Sequence, residues 1–289
     1  MKLEPIADQA LDIQHDTDPA HDHGPARRIP HLGHALLFFS LTLMSFALCI
    51  IAILSAAHIH TDEAARQHPG LSLLAQVLAY ILTLAAAAWI FPRLWTKSFL
   101  QGIQWNALAA RRRWFWIMPL GIVLSFAAQL AESRLPALSK DPFDAFFHVP
   151  LHAWLFTACG VLIIPLFEEI AFRGFLLPAF ATAYDWLALE RTPSGFRRWE
   201  TSTLHSTPAL IFAAVFSSLA FALIHGDQLN FSLGLLAVLF VVSLVLSWVR
   251  IRSHSVACSV LLHATYNLTT FATAIVVSGG YRHLERLSS

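Results

Sequence analysis

Residues 35–57, ALLFFSLTLMSFALCIIAILSAA, contain no Asp, Glu, Lys or Arg, and this absence decides the fold. The charge-free window around them runs from Arg28 to Asp62. About 20 apolar residues are enough for an α-helix to cross the roughly 30 Å hydrocarbon core of a bilayer. A helix on the surface of a soluble protein would instead carry a polar stripe every three or four residues. The stretch therefore predicts a membrane-spanning helix.

Further apolar windows long enough to span a bilayer follow along the chain, and most of them are also free of Asp, Glu, Lys and Arg. The predicted spans lie near residues 35–57, 71–91, 114–131, 150–180, 208–226, 231–250 and 255–278. We predict an all-α integral membrane protein, a polytopic bundle of about seven (six to eight) transmembrane helices.

The composition of the whole chain agrees with a lipid environment. Of 289 residues, 56% are hydrophobic and 13% are charged, about half the charge content typical of soluble domains. With 19 basic and 18 acidic residues, the chain lacks the dense basic face that nucleic-acid binding needs. The same composition excludes a disordered chain. We therefore expect the lipid bilayer, and no nucleic acid, as the partner.

The polar segments divide the chain into four parts. Residues 1–33 are predicted to form a polar, disordered cytoplasmic tail, in which His15, His21 and His23 are read as solvated residues rather than metal ligands. Residues 34–145 hold the first transmembrane helices, residues 146–280 hold the remaining helices, and residues 281–289 are a short tail.

Basic residues near the span ends indicate an orientation. Arg28 precedes the first span, a run at 111–113 precedes the third, and the sixth ends in Arg250 and Arg252. These clusters share one side if the amino terminus is cytoplasmic, as the positive-inside rule requires. We expect the cytoplasmic membrane of a bacterium, with the side of the carboxyl terminus left open.

The fourth predicted span contains ionisable residues, in LFEEIAFRG at 166–174. Such residues cost about 2.5–3.5 kcal/mol each on insertion scales and are functional by default. Glu169 and Arg173 are four positions apart, so they can pair on one helix face. Glu168 lies about 100° around the helix without such a partner, and a carboxyl in an apolar setting suits a general base. The alternative is that both carboxylates only hold helices together.

Two later spans contribute further polar groups. Phe221-xxx-His225 ends the fifth span, and His263-xxx-Asn267 places two polar residues on one face of the seventh. A lone membrane histidine is often only an interhelical hydrogen-bonding group. Together with the Glu-Glu-Arg cluster, however, these residues supply a base, a second proton-handling group and donors for an oxyanion. This set predicts water-mediated acyl hydrolysis.

The three motifs, Glu168-Glu169-xxx-Arg173, Phe221-xxx-His225 and His263-xxx-Asn267, resemble those of the CPBP family. This family contains type II CAAX prenyl endopeptidases and the bacteriocin-processing or immunity proteins called Abi proteins. The resemblance covers roughly residues 150–278, and each motif lies in an apolar segment.

The resemblance implies a glutamate-dependent intramembrane endopeptidase acting on a membrane-associated or lipidated peptide or protein. Glu168 would activate a water with the help of His225, and His263 and Asn267 would stabilise the oxyanion. Glu169 would organise the site, held by Arg173, with Phe221 as a further site-organising residue. The residues themselves do not rank the two glutamates as base, and prenylation of the substrate and the oligomeric state are left open.

Two alternatives accompany this prediction. Glu168, His225 and His263 could bind zinc with one position open to water, although the chain lacks a His-Glu-xx-His helix motif, so no cofactor is favoured. The second alternative is a non-catalytic immunity or accessory protein that uses the same buried groups to bind a peptide.

Overall fold

The computed structural model describes residues 28–59, 68–136 and 144–287. Most of the tail predicted at 1–33 therefore lies outside the described residues. Regular structure within the described ranges is helical, and seven helices are long and apolar enough to cross a membrane, which confirms the predicted bundle. The helices, in chain order, are α1 (Leu32–Ala56), α2 (Pro69–Trp95), the short α3 (Phe99–Gly102), α4 (Ala107–Glu132), α5 (Pro150–Leu187), the short α6 (Pro193–Thr201), α7 (Thr207–Ile224), α8 (Leu233–Ser253) and α9 (Val256–Val277).

The spans are longer than predicted at several ends. α2 runs through Pro92 to Trp95, and α5 continues beyond the predicted limit at 180 to Leu187. Polar caps define other ends: Asn106 accepts a hydrogen bond from the Ala109 amide at the start of α4. Such caps satisfy backbone groups that a helix end leaves unpaired.

α5 is the central helix, and it is not a uniform α-helix. Two π-helical segments, Cys159–Ile163 and Ile170–Leu176, lie on either side of the α-helical turn Ile164–Glu169. Each widened turn rotates the following side chains relative to an ordinary helix. π-Helical turns inside α-helices are frequent at functional sites.

α4 and α9 pack closely along their length, and one glycine permits the closest approach. A Cβ at Gly121 would lie 3.0 Å from the Cβ of Thr265 and 3.1 Å from the carbonyl oxygen of Leu262. Farther along the same pair, the hydroxyls of Ser125 and Thr270 are hydrogen-bonded at 3.0 Å. α9, which carries His263 and Asn267, is thus fixed against a neighbouring helix.

An ionic cluster joins the end of α5 to the start of α7. The Asp185 carboxylate accepts hydrogen bonds from Arg28 at 3.3 Å, from the Ser206 hydroxyl at 2.7 Å and from His205 Nδ1 at 2.9 Å. Burial lowers the pKa of His205 from its ordinary value of 6.5, and the bond to Asp185 offsets this only in part.

Residues 190–203 belong to a compact unit separate from the rest of the described chain. Within it, the Thr192 hydroxyl caps α6 by accepting a hydrogen bond from the Gly195 amide. Arg198 and Glu190 form an exposed ion pair at 2.8 Å.

Candidate active site

Both glutamates of the fourth predicted span lie on the α-helical turn between the two π segments of α5. Glu169 is fully buried, whereas the side chain of Glu168 keeps 12% of its surface exposed. The two neighbouring carboxylates therefore have different environments, as their positions around the helix predict.

Glu169 is held by two groups through the same oxygen. Arg173 donates to Glu169 Oε1 at 2.9 Å, one turn along the helix, which is the pairing predicted from the spacing. His263 Nδ1, from α9, lies 2.9 Å from the same oxygen. The second amino group of Arg173 donates to the Ser243 carbonyl at 2.8 Å and to its hydroxyl at 2.7 Å, on α8. Glu169, Arg173, Ser243 and His263 therefore form one hydrogen-bonded group that joins α5, α8 and α9.

Glu168 faces two histidines from two other helices. Its Oε1 lies 3.6 Å from His225 Nε2, and its Oε2 lies 3.8 Å from His263 Nε2. These separations are longer than a direct hydrogen bond. They are of the kind at which a water molecule bridges two polar groups.

His225 is the residue that ends α7, and its orientation is set by its own helix. Its Nδ1 lies 2.8 Å from the carbonyl oxygen of Phe221, one turn earlier. A carbonyl oxygen only accepts, so Nδ1 carries the proton and a neutral His225 presents a lone pair at Nε2. The side chain is 18% exposed, compared with 12% for Glu168 and 7% for His263.

The same reasoning fixes the tautomer of His263. Glu169 is engaged by Arg173 as a carboxylate, so it accepts the Nδ1–H of His263. A neutral His263 then also presents a lone pair at Nε2. The Nε2 lone pairs of two imidazoles and the carboxylate of Glu168 thus face one another. All three are hydrogen-bond acceptors, so the space between them suits a group that donates hydrogen bonds or carries positive charge.

Phe221 lies in the middle of these side chains. The guanidinium carbon of Arg173 lies 4.9 Å from its ring centre. Its ring is 4.8 Å from that of His225 and 6.0 Å from that of His263. The ring gives Arg173 an aromatic face and contacts both imidazoles.

Asn267 lies one turn after His263 on α9, as predicted. Its Nδ2 donates to the carbonyl oxygen of Gly160 at 2.7 Å. Gly160 belongs to the first π segment of α5. The amide therefore ties α9 to α5 just before the turn that carries the glutamates, and the oxyanion role implied for Asn267 stays a prediction.

The donor types suit zinc, since two imidazole nitrogens and a carboxylate approach one another. As placed, however, the described part of the chain holds no group of three His, Cys, Asp or Glu side chains that could hold a metal ion. A zinc ion would require Glu168, His225 and His263 to move relative to one another.

Two residues of this site were not found from the sequence. Ser243 gave no signal because a serine in an apolar span is common. Arg250 was assigned to the positive charges flanking α8, but it is only 5% exposed and contacts the backbone of α5. The signal that could have identified Arg250 is its spacing of seven residues from Ser243, which places both on one face of α8.

Comparison with known proteins agrees with the resemblance seen in the motifs. Residues 150–269 match the family model described as type II CAAX prenyl endopeptidase Rce1-like. This range contains both glutamates, both histidines and Asn267, so the resemblance is confirmed and supports a membrane-embedded peptidase. The curated proteins and the solved structures yield no match.

Proposed function

We propose that the protein is an intramembrane endopeptidase that hydrolyses a peptide bond of a membrane-associated substrate with a water activated at Glu168. The observation that carries this proposal is the position of the Glu168 carboxylate between the Nε2 atoms of His225 and His263. All three side chains belong to the segment that matches the family model.

Charge balance within the contacting side chains supports acid–base chemistry. With both glutamates ionised and Arg173 protonated, the contacting side chains have a net charge of −1. One proton shared among Glu168 and the two histidines makes this group neutral, which a low-dielectric setting favours. The cluster then contains a carboxylate that accepts a proton and an imidazolium that donates one.

The hydrolysis follows from these two groups. A water bound beside Glu168 loses one proton to the carboxylate while its oxygen attacks the substrate carbonyl carbon. The resulting oxyanion is stabilised by the positive charge of the protonated imidazole and, in the role implied for it, by Asn267. As the carbon–nitrogen bond breaks, the protonated Glu168 returns this proton to the leaving nitrogen, and the carboxylic acid formed then ionises. The products are a carboxylate and an amine.

The proposal is tested with Glu168→Gln, which keeps the size of the side chain but removes the base. Loss of general-base catalysis lowers kcat by about 10²- to 10⁴-fold. The matched control is Glu132→Gln, at the end of α4 and outside the cluster, for which wild-type turnover is expected. Membrane proteomics of cells carrying each variant should reveal a precursor that accumulates only with Glu168→Gln.

Two outcomes would replace the proposal. Wild-type turnover in folded Glu168→Gln would exclude Glu168 as the base. Full complementation of a deletion strain by this variant would favour the non-catalytic immunity or accessory role.

A zinc-dependent form of the same reaction is favoured by one observation. The Nδ1 atoms of His225 and His263 are held by a carbonyl and a carboxylate, which is how zinc-binding histidines are commonly oriented. Zinc, when bound by Glu168, His225 and His263, would lower the pKa of a bound water. Metal analysis of purified protein, with activity measured after chelation, separates the two forms, because a metal-free active enzyme excludes zinc dependence.

A further inference from the structure

Arg250 is a buried arginine whose two hydrogen bonds go to residues near the glutamates rather than to the glutamates themselves. Its Nε donates to the backbone carbonyl oxygen of Arg173 at 3.2 Å. Its Nη2 donates to Gln104 Oε1 at 2.7 Å. Burial of an arginine costs free energy unless its N–H groups are hydrogen-bonded, and these two hydrogen bonds hold the residues that accept them in place.

Gln104 is itself a fixed point. It lies between α3 and α4 with φ of 58°, and its carbonyl oxygen accepts a hydrogen bond from the Val256 amide at 3.2 Å, at the start of α9. Through Gln104, Arg250 is anchored to the turn that leads into the helix carrying His263.

Two residues of α8 thus contact Arg173, one at its side chain and the other at its backbone. Ser243 accepts two hydrogen bonds from the guanidinium of Arg173, and Arg250 donates to its backbone carbonyl. Arg173 lies in the π segment Ile170–Leu176, where the backbone departs from the ordinary helix. Fixing its carbonyl sets the position from which its side chain reaches Glu169.

We infer that Arg250 is a positioning residue of the proposed active site: by holding the carbonyl of Arg173 against Gln104, it sets the geometry of the Glu169–His263 pair. The inference rests on the proposed function for its kinetic consequence and on the structure alone for its geometric one. A lysine cannot replace it, because the donors of an ammonium group all lie on one nitrogen, whereas Arg250 donates from two separate nitrogen atoms, Nε and Nη2.

The kinetic experiment compares Arg250→Met with Arg252→Met in the purified full-length protein. Arg252 is an exposed arginine two residues farther along α8, so it is a matched control. A displaced catalytic group is expected to lower kcat by about 10- to 100-fold and to change KM by less than about threefold. Arg252→Met should retain the wild-type values.

A double-mutant cycle separates positioning from a general loss of stability. If Arg250 acts through Arg173, the variant carrying both Arg250→Met and Arg173→Met should be no slower than Arg173→Met alone. Independent, multiplying losses would overturn the inference.

A second measurement does not depend on peptidase activity. In protein labelled with ¹⁵N-histidine, the His263 resonances, assigned with His263→Gln, should shift in Arg250→Met and stay unchanged in Arg252→Met. Unchanged resonances in folded Arg250→Met would overturn the inference. Shifted resonances in a protein whose wild type hydrolyses nothing would support the positioning role and remove the proposed function.

Arg250→Lys carries the same two measurements if Arg250→Met does not fold. It keeps the charge but loses the two-point contact, so lowered kcat and shifted His263 resonances are expected. Wild-type kcat and wild-type resonances in Arg250→Lys would overturn the two-contact role.

Discussion

Replacing Arg173 by methionine should destabilise the protein strongly, because it removes the arginine that pairs with the buried carboxylate of Glu169 and leaves only His263 in contact with it. Both side chains of the Glu169–Arg173 pair are 0% exposed. Two unit charges about 4 Å apart attract each other by about 4 kcal/mol at an effective dielectric constant of about 20. Breaking a buried pair by removing one partner typically costs about 3–5 kcal/mol. We therefore expect Arg173→Met to lower the free energy of unfolding by about 3–5 kcal/mol.

The assay is reversible unfolding by SDS titration in mixed micelles, followed by circular dichroism. The matched control is Arg198→Met, which removes an arginine from the exposed pair with Glu190 and should cost less than about 1 kcal/mol. The double variant Glu169→Leu/Arg173→Met removes both charges and should recover more than half of the loss, because apolar residues often replace a buried pair without penalty. A loss below about 1 kcal/mol for Arg173→Met, or simple additivity in the double variant, would refute the reasoning.

Two further predictions concern stability outside the site. Because burial lowers the pKa of His205, the unfolded chain takes up a proton at a higher pH than the folded protein does. The free energy of unfolding should therefore fall as the pH drops below about 6.5, and His205→Gln should reduce this dependence in SDS titrations repeated from pH 8 to pH 5. Gly121→Val should lower the free energy of unfolding by about 1–3 kcal/mol, because even a Cβ there would lie 3.0 Å from Thr265. Gly280→Val has open space around it and causes no such clash, although its backbone has a positive φ. Wild-type stability of Gly121→Val would contradict the close packing of α4 and α9.

The sequence was sufficient for those features that depend on local chemistry. Long apolar windows with few or no charges located the seven spans, because a charge in hydrocarbon is costly at any position along the chain. The Glu169–Arg173 pair followed from helical periodicity, because both residues lie on one helix and one turn apart.

The features that could not be predicted depend on other parts of the chain. No local pattern marks the two π segments of α5, which exist where partners such as Asn267 satisfy a displaced carbonyl. Arg250 resembles any positive residue flanking a span, and only the packing of α5 against α8 shows that it is enclosed. The residues themselves predicted that Glu168 and the two histidines form one set, but the packing that brings α7 and α9 to Glu168 has no local signal in the sequence.

The order of the helices along the chain has a consequence for how the protein enters the membrane. α5 is synthesised before α7 and α9, so it reaches the bilayer before either histidine exists. Glu169 enters together with Arg173, which lies one turn away on the same helix, whereas the histidines that contact Glu168 are synthesised later. A nascent chain that stops after α5 therefore carries one carboxyl without its companions, and retention of such a chain by the insertion machinery would couple release of this helix to synthesis of the remainder.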